Sequence, residues 1–303
     1  MLNETLKNRV DTLFPGVFNK VEEISNENAL GSTDNLWKTV SDKYVDKVRK
    51  ILAPIDGLTL DVYPDLVVRN PKAGATVQVE VIDSMGDAIE NNTDWNKSDI
   101  ENHYVDVKLD RISRPFYLTS YDLMHGERIE SKVGAAMETV AQAVVKKFFT
   151  TATTGAAKET LAGFDPETAA SLSAAFGDAR ETDALILEPA AYAKIVPTNG
   201  LSLDPKAEGT YGIGRIHKSL IGVEGVNAIA LAKDAVVGAL GTQEILLNQQ
   251  GQFVQSLGTI AGIPMVLIGH WSYDEQAMKM SVETFAGFAQ TSADFVKTYT
   301  IQG

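Results

Sequence analysis

The sequence predicts an α+β protein, and three observations carry that prediction. One long amphipathic helix spans Glu127–Thr150. Two alternating segments, Val77–Val81 and Tyr104–Asp110, form the arms of a hairpin around a long connection. Short apolar strands then crowd the last part of the chain, from Val226 to Ile301. Helices and strands are segregated along the chain rather than alternating, which is the α+β pattern.

The helix is the clearest element. Ile129, Val133, Met137, Val140, Val144 and Phe148 recur at three- and four-residue steps and make one apolar stripe. Ala135, Ala136, Ala141 and Val145 are expected to widen it. Glu127 and Glu130 lie in the expected first turn and Lys146 and Lys147 in the last, which complements the helix dipole. Gly155 lies beyond a Thr-rich end, where a helix can stop.

Before this helix, residues 1–56 read as a helical arm. Leu2, Leu6, Val10 and Leu13 make a stripe that ends at Pro15, and Val17, Phe18, Val21 and Ile24 make a second. Polar Ile24–Asp34 reads as a loop, and a third helix is expected over Asn35–Leu52, stopped by Pro54. The arm helices are short and marginal alone, so neighbouring subunits are expected to order them. In the hairpin, Val77, Val79 and Val81 alternate with Thr76, Gln78 and Glu80, and Val105, Val107 and Leu109 alternate with polar residues on the return arm. Period-two alternation means one apolar and one wet face. The connection, Asp83–Asn102, is longer than most loops in compact domains, and such loops are usually functional or mobile. It is acidic and carries Trp95, an aromatic that needs a surface.

Arg114–Thr119 leads into a short helix at Tyr121–His125, with Thr119 and Asp122 as a capping box. After the long helix, Asp165-Pro166 opens another helix that Gly177 ends. Asp183–Leu187 is a buried-type strand, and Pro189–Val196 a short helix. Thr198–Gly214 is a loop punctuated by Gly and Pro. Strands are expected at Val226–Leu231, Ala235–Leu240, Gly251–Ser256, Ile263–Ile268, Ala277–Phe285 and Phe295–Ile301.

Composition bounds the function. With 303 residues, 44% hydrophobic and 22% charged, the chain is globular. Its net charge of −13 gives no electrostatic drive toward nucleic acid. Cysteine is absent, which excludes disulfides, thiolate metal sites and a cysteine nucleophile. The first residues have no signal-peptide core, and no apolar run reaches the length of a membrane span, so a soluble, unsecreted protein is expected.

A search for chemistry finds no catalytic motif. His103, His125, His217 and His270 stand in no paired spacing and read as structural. Gly209, Gly212 and Gly214 are spaced GxxGxG in a loop, which is not the dinucleotide fingerprint. Asp83, Asp87, Glu90, Asp94, Asp99 and Glu101 cluster without the ordered spacing of a calcium loop. Lys and Arg residues are dispersed, without a basic stripe to track a nucleic-acid backbone. No catalytic residue, cofactor or metal is expected.

The order of these parts resembles the Hong Kong phage-type major capsid fold of tailed bacteriophages, herpesviruses and encapsulins. The resemblance is architectural and spans nearly the whole chain. It implies an N-terminal arm over 1–56 and an E-loop hairpin region over 57–115, with the E-loop itself at Val77–Leu109. It implies a peripheral domain over 116–158 and 275–303, with Glu127–Thr150 as its spine helix and Phe295–Ile301 as its closing strand. Residues 159–274 would be the axial domain, in which DALILEP (Asp183–Pro189) and the helix after it resemble the family's strand and helix. The implied function is a non-enzymatic shell subunit that assembles in the host cytoplasm into hexamers and pentamers of a virion capsid. That shell would enclose DNA without reading its sequence and without a membrane, with scaffolding, portal and decoration proteins as possible partners. Scaffolding, if used, is expected to be cleaved away or separate. Implied inter-subunit contacts are Trp95 with Asp94 and Asp99 at the hairpin tip, and Gly209, Tyr211, Gly212 and Gly214 near a capsomer axis. Two alternatives stay open: an encapsulin-like compartment shell and an α+β enzyme.

Overall fold

Helix α1 (Glu4–Leu13) and the helical residues 43–52 (α2) precede a hairpin of strands β1 (Thr76–Ser84) and β2 (Glu101–Lys108). Strand β3 (Asp110–Thr119) leads into the short α3 (Ser120–Met124) and the long α4 (Gly126–Ala152). Next come β4 (Ala157–Leu161), α5 (Pro166–Ser173), β5 (Thr182–Leu187), α6 (Pro189–Ile195) and β6 (Arg215–Lys218). The chain closes with β7 (Ala228–Ala232), β8 (Val236–Gly241), β9 (Gln252–Ile260), β10 (Ile263–Ser272), β11 (Ala277–Gln290) and β12 (Val296–Ile301). This computed structural model describes residues 4–14, 43–55, 73–84, 101–163, 166–176, 182–195, 213–241 and 252–302.

The six stripe residues of α4 are at most 1% exposed, so the periodicity read the buried face correctly. Ala136, Ala141 and Val145 widen that face, but Ala135 is exposed. It sits one step round the helix from Ala136, on the solvent side. The helix also runs on to Ala152, so Lys146 and Lys147 lie short of the last turn, which holds no basic residue. Lys147 instead pairs with Asp110 at the start of β3. The Thr153 amide donates to the Phe149 carbonyl (2.9 Å), and Gly155 follows with φ 74°.

Two larger sheets and the hairpin make up the strands. In the first sheet the order is β3-β11-β10-β9, with β8 also paired to β11. One face of this sheet packs on α4 through Leu118, Met265, Leu267, Met278, Met280 and Val282, all buried in the same core. Phe288 meets Phe148 edge-on at 5.4 Å. The second sheet has the order β4-β12-β7-β5-β6. Its central strands are near-continuous apolar runs because both faces are covered. Ala184, Ile186, Ile229 and Leu231 join the main core, and Leu185, Leu187, Ala228 and Ala230 join a second core with Leu172 and Tyr299.

Strands β3, β4 and β6 were not anticipated. Each is an edge strand whose residues are mostly exposed or half-buried, so an apolar alternation is missing. The sheets also cut across the sequence segments. Strands β9 and β10, from the 159–274 segment, pair with β11 and not with β5. The closing strand β12 pairs with β4 and β7.

The expectation that neighbours order the arm does not hold for its described parts. Val10 and Leu13 of α1 with Phe14 just after it, and Val48 and Leu52 of α2 with Ile55 just after it, are buried in this subunit's own core. Phe14 meets Phe253 of β9 edge-on at 5.0 Å. The second arm stripe, Val17–Ile24, the polar loop after it and the start of the third helix lie outside the described residues.

Candidate assembly surfaces

The hairpin is built as its alternation requires. Val77 stands opposite Val107, Val79 opposite Val105, and Val81 opposite His103. Its base packs on the first sheet, where Val79, Val107 and Leu109 are buried with Val237 and Ala239 of β8. A glycine allows that approach: a Cβ on Gly287 of β11 would collide with the Lys108 carbonyl. Toward the tip the cover thins, and Val81 and His103 are half-buried. The other face pairs Glu80 with Tyr104 and Gln78 with Asp106, and Tyr104 is 63% exposed. Asp94, Trp95 and Asp99 lie outside the described residues, as do Gly209, Tyr211 and Gly212.

Gly214 is described, and its surroundings account for it locally. It is exposed at the entry to β6, its amide donates to the Thr182 carbonyl (3.0 Å), and a Cβ would stand 2.6 Å from the Asp183 carbonyl. Beside it the Arg215 guanidinium pairs with the Asp183 carboxylate at 2.9 Å. The glycine is therefore needed where β6 lies close along β5.

A second surface surrounds α3, and the sequence reading missed it. Tyr117, Tyr121 and Met124 are each at least half exposed. Tyr121 stacks on His125 (4.4 Å) and carries the Arg128 guanidinium over its ring (4.7 Å), while Lys279 lies over Tyr117 (5.6 Å). Interfaces are enriched in Tyr, Met and Arg, which makes this patch a candidate contact surface. The signal was present in sequence as a Tyr–Met–His cluster beside a capping box, without a buried stripe to explain it.

Beneath this surface lies the capping box that the sequence predicted. The Asp122 carboxylate accepts from the Thr119 amide (2.9 Å), the Thr119 hydroxyl (2.7 Å) and the Lys132 ammonium (2.7 Å). Arg128 approaches its other oxygen at 3.4 Å, and Lys132 also donates to the Tyr117 carbonyl (2.9 Å). Burial alone would raise the Asp122 pKa, but Lys132 and the two Thr119 donors outweigh it and lower it to about 2. One buried carboxylate thus ties β3, α3 and α4 together. A comparable pair joins β3 to β11, where Arg111 grips the buried Glu283 with two nitrogens.

Among the described residues, no three or more His, Asp or Glu side chains are grouped to hold a metal ion. Among the described residues, no helix is long and apolar enough to cross a membrane.

No protein-family model matches the chain, and no curated protein is similar to it in sequence. Solved structures are similar in fold. A virus-like particle protein from Pyrococcus furiosus superposes with a TM-score of 0.52 at 14% identity, covering 88% of this chain and 98% of that one. A Mycobacterium phage Ogopogo structure gives a TM-score of 0.47 at 12% identity, covering 79% of this chain and 91% of that one. The capsid structure of cyanophage P-SCSP1u gives 0.45 at 13% identity, covering 80% and 88%. The class is α+β, and the fold is the Hong Kong phage type that the sequence resembles. That fold is shared nearly end to end with the Pyrococcus furiosus protein.

Proposed function

We propose that this chain is the major capsid protein of a tailed bacteriophage, a structural subunit of the icosahedral head that encloses the DNA. The observation that carries the reading is the near end-to-end fold match to a particle-forming protein, 88% of one chain on 98% of the other. The polar clusters described above are structural ties. In this reading the subunit is non-enzymatic and binds copies of itself in hexamers and pentamers. It ends in the virion after assembly in the host cytoplasm, and scaffolding, portal and decoration proteins are its further partners. The sheet holding β5 and the helices α5 and α6 form the lobe nearest the capsomer axis. The spine helix α4 and the sheet it covers form the peripheral lobe. Residues 198–214, with Gly209, Tyr211, Gly212 and Gly214, face the axis, and the hairpin tip with Trp95 reaches a neighbouring subunit.

Negative-stain microscopy of the purified chain is the test. Closed shells or capsomer rings are expected, and a discrete small particle would reject the reading. Nuclease-protected DNA in shells recovered from infected cells is the second expectation. Shells that hold protein and no DNA would favour an encapsulin-like compartment instead.

A further inference from the structure

Glycine weakens a helix interior, because its backbone has the most conformational freedom to lose. Helix α4 is 27 residues long, and apart from Gly126, which opens it, its one glycine is Gly134. That glycine is buried, and a Cβ there would collide with the ring of Tyr44 from α2. Glu130, Gly134 and Glu138 follow at four-residue steps, so they share one line along the helix. Each carboxylate is met by a lysine of α2: Lys43 with Glu130 at 3.6 Å, and Lys47 with Glu138 at 2.6 Å. The Lys-Tyr-x-x-Lys face of α2 therefore straddles the glycine, with the ring on Gly134 and an ion pair on each side. Below it, Val48 and Leu52 of α2 are fully buried in the core, which fixes the far end of the strut.

We propose that α2 is a splint across a hinge built into the spine helix at Gly134. With the splint seated, the helix behaves as one rigid rod. With it lifted, the two halves flex about the glycine, so the arm sets the stiffness of the helix on which the first sheet packs. The two ion pairs make the seat sensitive to salt, since their lysines are more than half exposed. The inference concerns the single subunit and does not depend on the shell reading.

The absence of cysteine makes the test clean. Spin labels on Glu127→Cys and Lys146→Cys bracket the hinge at about 28 Å along the helix, and both positions are exposed. The distance distribution measured in the otherwise native chain should be single and narrow. Tyr44→Ala should broaden it at least about twofold, and amides over residues 131–138 should exchange at least about tenfold faster. Tyr44→Ala with Gly134→Ala should narrow the distribution again, because alanine stiffens the helix and the ring no longer blocks its Cβ. A Tyr44→Ala distribution as narrow as the native one overturns the proposal, and so does a double variant as broad as the single. If Tyr44→Ala does not fold, Glu130→Gln with Glu138→Gln carries the test. Broadening in that pair supports the splint, and a native-like distribution overturns it.

Discussion

Helix α2 and the β1–β2 hairpin are both appendages in the sequence, and the fold treats them differently. Both have one apolar face and one charged face, and a hairpin or a short helix of this size is marginal alone. The fold covers α2 with its own spine and core, leaving Val48 and Leu52 with no exposed surface. It covers the hairpin only at the base, through Val79, Val107 and Leu109, and leaves Val81 half-buried and Tyr104 largely exposed. An apolar stripe announces burial without saying whose surface does the covering. The α2 stripe is spent within the subunit, and among the described residues the outer hairpin is covered less than its base.

The strongest way to break the comparison is to remove the body on which both appendages rest. Val140→Asp puts an unpaired carboxylate at a position 1% exposed, in the centre of the α4 stripe. That costs several kcal/mol against a total stability of about 5–15 kcal/mol. Expression should yield insoluble or non-cooperatively melting chain, and a soluble variant with a sharp melt would show that the stripe is not the core.

The next step compares the appendages directly. Leu52→Ala empties a fully buried site on α2 and should destabilise the monomer by about 2–5 kcal/mol. Val81→Ala trims a half-buried side chain on the outer hairpin and should cost about 1 kcal/mol or less. Denaturant titration of unassembled chain would sharpen the contrast if the values differ in this order. Equal losses would mean that the hairpin is as much a part of the subunit's core as α2 is.

Acid tests the joint where β3 leaves the hairpin and enters α3. The Asp122 pKa is lowered to about 2 in the folded chain, against roughly 3.9 for an unfolded aspartate. Its stabilising contribution is therefore complete above about pH 4 and is lost as pH falls toward about 2, amounting to about 2 kcal/mol. Asp122→Asn should remove that part of the acid limb. Melting curves between pH 5 and pH 2, about the range over which such a carboxylate titrates, would decide it. An unchanged slope in the variant would mean that other carboxylates carry the acid sensitivity.

How far these contrasts were legible in the sequence depends on the pattern each element leaves. The spine, the hairpin alternation and the Thr119–Asp122 box were legible because each is set by local spacing, at period 3.6, at period two, or at three residues. The edge strands β3, β4 and β6 were not, because an edge strand needs no apolar face of its own. The sheet partners of β9, β10 and β12 were not either, since pairing joins residues far apart in the chain and no short window records it. Gly134 was passed over for the same reason: inside a strong helix pattern it reads as a weakness, and only Tyr44, ninety positions earlier, explains it. For the assembly surfaces, the sequence marked Trp95 by its isolation but passed over Tyr104, which alternates with polar residues on the hairpin's wet face.

The smallest effect expected on the subunit is the most telling for the shell. Tyr104 is 63% exposed and packs on no apolar cluster of the described residues, so Tyr104→Ala should change the monomer's melt by no more than about 0.5 kcal/mol. Trp95→Ala at the acidic tip should be equally silent in the monomer, if the tip is spent on a neighbour. In assembly the expectation reverses. An aromatic anchor at the centre of an interface typically costs about 2–4 kcal/mol when truncated, and a closed shell repeats that loss at every subunit. Trp95→Ala should therefore remove shells from a sizing column while the unassembled chain melts normally, and Tyr104→Ala should weaken or remove them. Asp94→Ala should do much less, because exposed ion pairs at an interface rim are worth less than about 1 kcal/mol and fade with salt. Two outcomes would reverse the contrast drawn between α2 and the hairpin. If Trp95→Ala unfolds the monomer, the tip belongs to the subunit's own core as α2 does. If both aromatic variants assemble normally, the outer hairpin is not an assembly contact, and the surface around Tyr117, Tyr121 and Met124 becomes the one to mutate next.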